Sequence, residues 1–179
     1  MKKSLLIALL ILSVFFWSSS KIDLNRVPIE GCPFCQKSIL DRQLVYRGQH
    51  ASVLATHKPA VPGHLLIIPN RHVETFDLLD KEEIGEIGDL VKRVHALYIH
   101  QFDTTQYLLI QKNGRLAGQT VPHVHLHVLP RTENMSQLSF LFHFFLSPWL
   151  KSLNDQEMKE SILNLEWDKS TLLHTQVDY

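Results

Sequence analysis

The sequence predicts an α+β domain: an antiparallel sheet of about five strands carrying one main amphipathic helix. Three observations predict it. Short runs of strand-type residues recur between turn signals. One stretch repeats apolar residues at helical spacing. The connections between the early strands are too short for parallel crossovers, which need a dozen or more residues.

The elements follow in order. Residues 44–47 and 52–56 read as short strands around the turn at Gly48. Lys58-Pro59-Ala60-Val61-Pro62-Gly63 is a loop rich in backbone punctuation. Residues 64–68 form a buried-type strand ending at Pro69. Asp80 with Glu83 makes a capping-box pattern, and Ile84, Ile87, Leu90, Val91, Val94, Leu97 and Tyr98 then fall on one helical face. That helix is expected to end near His100. Residues 106–111 read as a strand, Asn113-Gly114 begins a turn, and residues 123–129 are the last strand. One helix cannot cover both faces of such a sheet, so a face or an edge is left for a ligand or a second subunit.

The 179 residues fit one compact domain with extra sequence at its ends. Residues 1–20 carry Lys2 and Lys3 ahead of an apolar run broken only by Ser13. This is the pattern of a secretory signal peptide, although the bulky Phe15, Phe16 and Trp17 leave no small-residue cleavage site, so an N-terminal membrane anchor is the variant reading. The protein is therefore expected to be exported or membrane-anchored; the alternative is a cytoplasmic protein with a hydrophobic extension. Residues 21–31 read as a linker, 32–135 as the domain, and 136–179 as a C-terminal extension. Within that extension residues 138–150 are strongly apolar, too short to span a bilayer and broken by Pro148. They are read as core or dimer-interface packing, with a membrane-surface contact as the alternative. Asn154 or Asp155 would cap a last helix reaching about Leu165.

The formal net charge is zero with histidine neutral, which argues against a general nucleic-acid binder and leaves a small phosphorylated substrate open. Eleven histidines are unusual for this length, and three of them alternate in Pro122-His123-Val124-His125-Leu126-His127-Val128-Leu129-Pro130-Arg131. Side chains alternate across a strand, so Val124, Leu126 and Val128 point into the core while the three imidazoles form a row, neighbours roughly 6–7 Å apart. Such a row suits metal binding or nucleophilic attack on phosphorus. The preceding stretch, 113–121, favours phosphate. Gly114, Ala117 and Gly118 permit close backbone approach, successive N–H groups can form an anion nest, and Gln119 and Thr120 add donors.

The His-φ-His-φ-His-φ-φ run at 123–129, the Gly-Gln-Thr-Val before it, the Leu-Pro-Arg after it, and Pro62-Gly63-His64 through His72 resemble the histidine triad (HIT) family. The likeness covers roughly residues 32–131. Lys-Pro-x-Val-Pro-Gly-His and Ala-Gly-Gln-Thr-Val look most like its fragile histidine triad branch, whose members hydrolyse dinucleoside polyphosphates. The resemblance implies a HIT-like fold and a nucleotide hydrolase or nucleotidyltransferase. Such an enzyme cleaves an α-phosphate bond, of dinucleoside polyphosphate or nucleoside phosphoramidate type, through a nucleotidyl-histidine intermediate. It makes His125 the nucleophile and gives His127 a phosphate contact and a part in leaving-group departure. Gln119 and Thr120 would orient phosphate oxygens, with Gly118 and Asn113 beside them and His64 supporting the row. It also implies a homodimer. The ribose-binding region falls near Thr56 and His57, where no partner is evident. The alternative function is a non-catalytic nucleotide- or metal-binding module attached to a membrane.

Cys32 and Cys35 are the only cysteines, too few for a disulfide scaffold. Their spacing suits a metal clip, a redox pair or a local disulfide. A redox pair would lie near a βαβ pattern, which is missing here. The resemblance nominates His72 and His123 as further ligands of a structural zinc.

Overall fold

The computed structural model describes residues 31–133, 136–146 and 152–167. The expected signal peptide or anchor at 1–20, nearly all of the 21–31 linker and the end of the 138–150 apolar segment lie outside the described residues. Among those described, no helix is long and apolar enough to cross a membrane.

Five strands form one antiparallel sheet: β1 (Leu44–Arg47), β2 (Ala51–Ala55), β3 (Leu65–Pro69), β4 (Tyr107–Gln111) and β5 (Leu126–Pro130), in the order β1-β2-β3-β5-β4. The class is α+β, as the short early connections require. The helices are α1 (Lys37–Gln43), α2 (Lys81–Phe102), α3 (Gln137–Leu146) and α4 (Asp155–Leu163).

α2 covers the first face. Asp80 accepts from the Glu83 N–H and Glu83 from the Asp80 N–H, closing the expected capping box. Ile87, Leu90, Val94, Leu97 and Tyr98 pack on Val53, Leu65, Ile67, Leu126 and Val128. Ile84, on the same stripe by spacing, stays exposed. The helix runs past His100 and stops at Asp103, whose φ of 49° is the left-handed turn that aspartate tolerates. The carboxylate of Glu86 accepts from the N–H groups of Gln49, His50 and Ala51, fastening the β1–β2 turn to α2.

The second face is covered at its two ends. α1 and the turn before it bring Phe34 and Leu40 onto Leu54, Leu66 and Ile68. α3 brings Phe140 and Phe144 onto Leu129, with Leu108 and Ile110 beside them. Phe140 and Phe144 of the apolar segment thus pack on the sheet, while Leu138, Phe142 and Phe145 stay exposed. Each fully buried phenylalanine stabilises by about 1.5–3 kcal/mol. A gap remains between the two plugs, over β3 and β5.

Residues 152–167 strap around the first face. Asn154 and Glu157 form a second capping box, and α4 ends at Leu163, slightly short of the expected Leu165. Met158 and Trp167 join the α2 core. The Arg93 guanidinium lies between the rings of Tyr46 and Trp167, 4.3 and 4.4 Å from their centroids. The Leu153 N–H donates to the His57 carbonyl at 2.8 Å, tying this strap to the loop after β2.

Candidate active site

The gap on the second face is floored by the histidines. The ladder of β5 begins at Leu126, not at His123 as the alternation suggests. Upstream the backbone finds other partners: the Val124 N–H donates to Val73 and the His123 N–H to Val121. The expected row of three is therefore split. His125 and His127 remain neighbours, ring centroids 5.1 Å apart, and both line the cavity. His123 is fully buried and turned toward the cysteines. Phe34 touches both groups, 5.7 Å from His123 and 5.5 Å from His125.

Backbone groups fix where each imidazole carries its proton. His125 Nδ1 lies 2.6 Å from the His123 carbonyl, which can only accept. Nδ1 therefore holds the proton, and His125 Nε2 presents a bare lone pair. On His64 the logic is reversed. The Ala60 N–H donates to His64 Nδ1 at 3.1 Å, so the His64 proton sits on Nε2. That Nε2–H donates to His127 Nδ1 at 3.0 Å, which leaves the His127 proton on its own Nε2. Burial keeps all three rings neutral. It pushes His64 down to about 3 and, with the neighbouring His64, His125 and Lys112, His127 to about 2. His125 is lowered mainly by burial. Two adjacent imidazoles thus offer opposite chemistry at Nε2: a lone pair and a hydrogen-bond donor.

The cavity, about 250 Å³, is lined by those three histidines with Phe34, Leu66 and Val121 as apolar wall and Thr56, His57, Lys58 and Thr120 as polar wall. Among the described residues no carboxylate lines it, so these residues present no like-charge repulsion to an anion. Of the expected substrate residues, His64, Thr120 and His127 are here. Gln119 is buried beside it with both amide ends engaged. Its Nε2 donates to the Glu74 carbonyl at 2.8 Å, and its Oε1 accepts from the Gly114 N–H at 2.6 Å. Asn113 Oδ1 accepts from the Phe76 N–H and from Gln111. Gly118 has φ 84° and closes the turn. These three residues brace the 113–119 loop that presents Thr120. Sequence reasoning passed over Phe34 and Lys112. Nothing in the sequence marks Phe34. Lys112 follows Leu108 and Ile110 at the strand period, which puts it on the histidine face.

Beside the cavity, one ligand atom each from Cys32, Cys35, His72 and His123 lies within 4.8 Å of all the others. The sulfur–nitrogen separations are 3.4 Å for Cys32–His123, 3.2 Å for Cys35–His72 and 3.7 Å for Cys35–His123. A tetrahedral zinc with its usual bond lengths needs about 3.3–3.8 Å between ligands. The His123 Nε2–H donates to the Pro69 carbonyl at 3.0 Å, leaving Nδ1 free for a metal. Both thiols are free. Burial and the adjacent Cys32 push Cys35 up to about 12, opposite to the low value a redox-active thiol needs.

The chain is similar to known proteins. An uncharacterised HIT-like protein of Methanocaldococcus jannaschii is 35% identical over 105 residues, 57% of this chain and 80% of that one. The asymmetrical bis(5'-nucleosyl)-tetraphosphatase of Schizosaccharomyces pombe is 35% identical over 89 residues, half of this chain and 49% of that protein. The crystal structure of the Caenorhabditis elegans NitFhit protein matches with a TM-score of 0.57 and 27% identity, over 70% of this chain and 27% of that one. The chain thus spans about half of the yeast enzyme and about a quarter of the nematode fusion protein. The HIT domain model matches residues 37–134, more than half of the sequence, and the chain belongs to the HIT family.

Proposed function

We propose that this protein is a nucleotide hydrolase or nucleotidyltransferase cutting at the α-phosphorus of a dinucleoside polyphosphate or a nucleoside phosphoramidate. One observation carries the reading: the backbone-fixed, opposite protonation of His125 Nε2 and His127 Nε2. The HIT family membership and the yeast tetraphosphatase as a relative support it. The His125 Nε2 lone pair forms a bond to the α-phosphorus while the bond from phosphorus to its bridging oxygen or nitrogen breaks. The leaving group takes that electron pair and accepts a hydrogen bond from the His127 Nε2–H, a departing amine drawing its proton from water. Water then attacks phosphorus and releases a proton to solvent, the N–P bond returns its pair to His125, and the nucleoside monophosphate departs. Thr120 and the backbone of the 113–119 loop hold the non-bridging oxygens, where charge accumulates. Gln119, Asn113 and Gly118 keep that loop in place.

We further infer that Cys32, Cys35, His72 and His123 hold a structural zinc, and that two copies of the chain pair through the open edge strand β4.

The test of the reaction is AMP release from diadenosine polyphosphates and from adenosine 5'-phosphoramidate. His125→Ala is expected to abolish it, a loss of at least about a thousandfold. His127→Ala and Gln119→Ala are expected to slow it about a hundredfold. Near-parental turnover in His125→Ala would falsify the covalent route.

A further inference from the structure

We propose that Lys112 selects the leaving group: its ammonium receives a departing phosphate chain, so the site favours substrates that lose a phosphate anion over those that lose a neutral amine. This rests on the hydrolase reading and assigns a residue which that reading does not use.

The placement comes from strand register. β4 and β5 pair antiparallel, with Ile110 opposite His127 and Gln111 opposite Leu126. Lys112 follows the last residue of β4 and His125 precedes the first of β5, and the Lys112 charge acts on the His125 ring. Lys112 shares the histidine face with Leu108 and Ile110. Its Nζ lies 5.3 Å from the centre of the Phe144 ring, and Phe144 in turn packs on His127 at 5.4 Å. On its other side is the phosphate-presenting loop. A Cβ built on Gly118 would lie 3.7 Å from that Nζ. The ammonium is thus enclosed by the nucleophile's strand, the α3 aromatic ring and the glycine turn.

It lacks a counter-ion there. No ion pair among the described residues includes Lys112. It is half-buried, and burial lowers its affinity for a proton while its charge acts on both His125 and His127. A partly desolvated cation without a carboxylate is costly, and a bound anion offsets that cost. The nucleoside is given the other side. Phe34, Thr56, His57, Lys58 and Leu66 line the cavity, and Lys112 is not part of that lining. The leaving group is accordingly assigned to the Lys112 side of His125 and His127, both of which feel its charge.

The chemistry makes a specific difference. Cleavage of a dinucleoside polyphosphate releases a nucleoside di- or triphosphate, with new negative charge on the departing oxygen. Cleavage of a phosphoramidate releases an amine, which an ammonium cannot stabilise. Charge-assisted contacts of this kind are worth about tenfold to a hundredfold.

The experiment compares the parent with Lys112→Met and Lys112→Arg. Methionine keeps an apolar stem against Phe144, and arginine keeps the charge. The substrates are diadenosine triphosphate and adenosine 5'-phosphoramidate, attacked at the same phosphorus. Expected is a fall of about tenfold or more in kcat/KM for the triphosphate in Lys112→Met. The phosphoramidate should change less than about threefold, and Lys112→Arg should recover most of the loss. Equal losses on both substrates, or none on either, overturn the proposal. Affinity for a diadenosine triphosphate analogue with a methylene in place of the bridging oxygen, relative to AMP, is read in parallel. That ratio should collapse in Lys112→Met even if the parent proves unable to turn over, which would sink the hydrolase reading alone. An unchanged ratio sinks the role of Lys112.

Discussion

A neutral imidazole offers either a lone pair or a proton at Nε2, and here two adjacent rings are set to opposite choices by atoms that cannot change roles. The His123 carbonyl only accepts and the Ala60 N–H only donates. Titration therefore reports on both rings. Histidine in an unfolded chain titrates near 6.5, whereas burial holds His125 below that and takes His64 to about 3. The logarithm of kcat/KM should stay flat as pH falls through 6.5 and drop only in more acidic solution. An acid limb centred at or above 6.5 would mean that the nucleophile is not shielded. Stability has the same sign. Between about 6.5 and about 3 the unfolded chain binds more protons than the folded one, so the urea midpoint should fall as pH is lowered through that window and level off above it. At this scale the sequence was informative where a residue's chemistry is rare. Alternating histidines narrow the chemistry to metal binding or attack on phosphorus without coordinates, and the stretch 113–121 before them favours phosphate. It was uninformative where a common residue acquires a role by neighbourhood, as Phe34 does. The amide of Gln119 reads as a phosphate donor in sequence, and its engagement by Glu74 and Gly114 depends on a loop shape that only the fold defines.

At the scale of elements, the strongly patterned pieces were legible and the weakly patterned ones were not. The α2 capping box and apolar stripe are local, so sequence is sufficient to find them. α1 gives no such signal: it has seven residues, and Gln36 provides no side-chain cap. It exists because Leu40 has an apolar surface to cover. The start of β5 was misplaced because alternation persists through His123, while hydrogen bonding to Val73 takes that stretch out of the ladder. α3 was recognisable as packing, but its seat beside the histidines is a tertiary fact. β4 is the element that bears on assembly. It is an edge strand, with Tyr107 and Leu109 exposed at 38% and 43%, and unpaired edges invite a second strand. Sedimentation should give twice the chain mass, and Leu109→Arg should shift the chain toward monomer. A parental monomer at micromolar concentration would contradict the proposed pairing.

For the whole molecule, the proposed zinc site and the proposed reaction centre are mechanically continuous. His72 follows β3, His123 precedes β5, and the cysteines flank Phe34, which contacts His125. Freshly purified protein is expected to contain about one zinc per chain. Chelation should lower the melting temperature and lower kcat more than it raises KM, because it loosens the frame around His125 and leaves the Thr56–Lys58 wall in place. Metal-free protein with undiminished stability would remove the structural zinc. The C-terminal strap belongs to the same frame, since Leu153 holds the carbonyl of His57 in the cavity wall.

The tautomer of His125 is governed by a main-chain oxygen, and this has a consequence for how the protein can change. His123 offers its ring to the proposed zinc and its carbonyl to His125, and the two contributions are separable. Mutation can erase the ring, but every amino acid retains the carbonyl. A lineage could therefore discard the cysteines and the metal, replace the ring by another buried group, and still inherit the acceptor that orients the nucleophile. No side-chain replacement could repair that acceptor if the turn carrying it were to shift. Under the proposed reaction the requirement at His123 thus falls on the path of the backbone, whereas the proposed zinc requires only its ring.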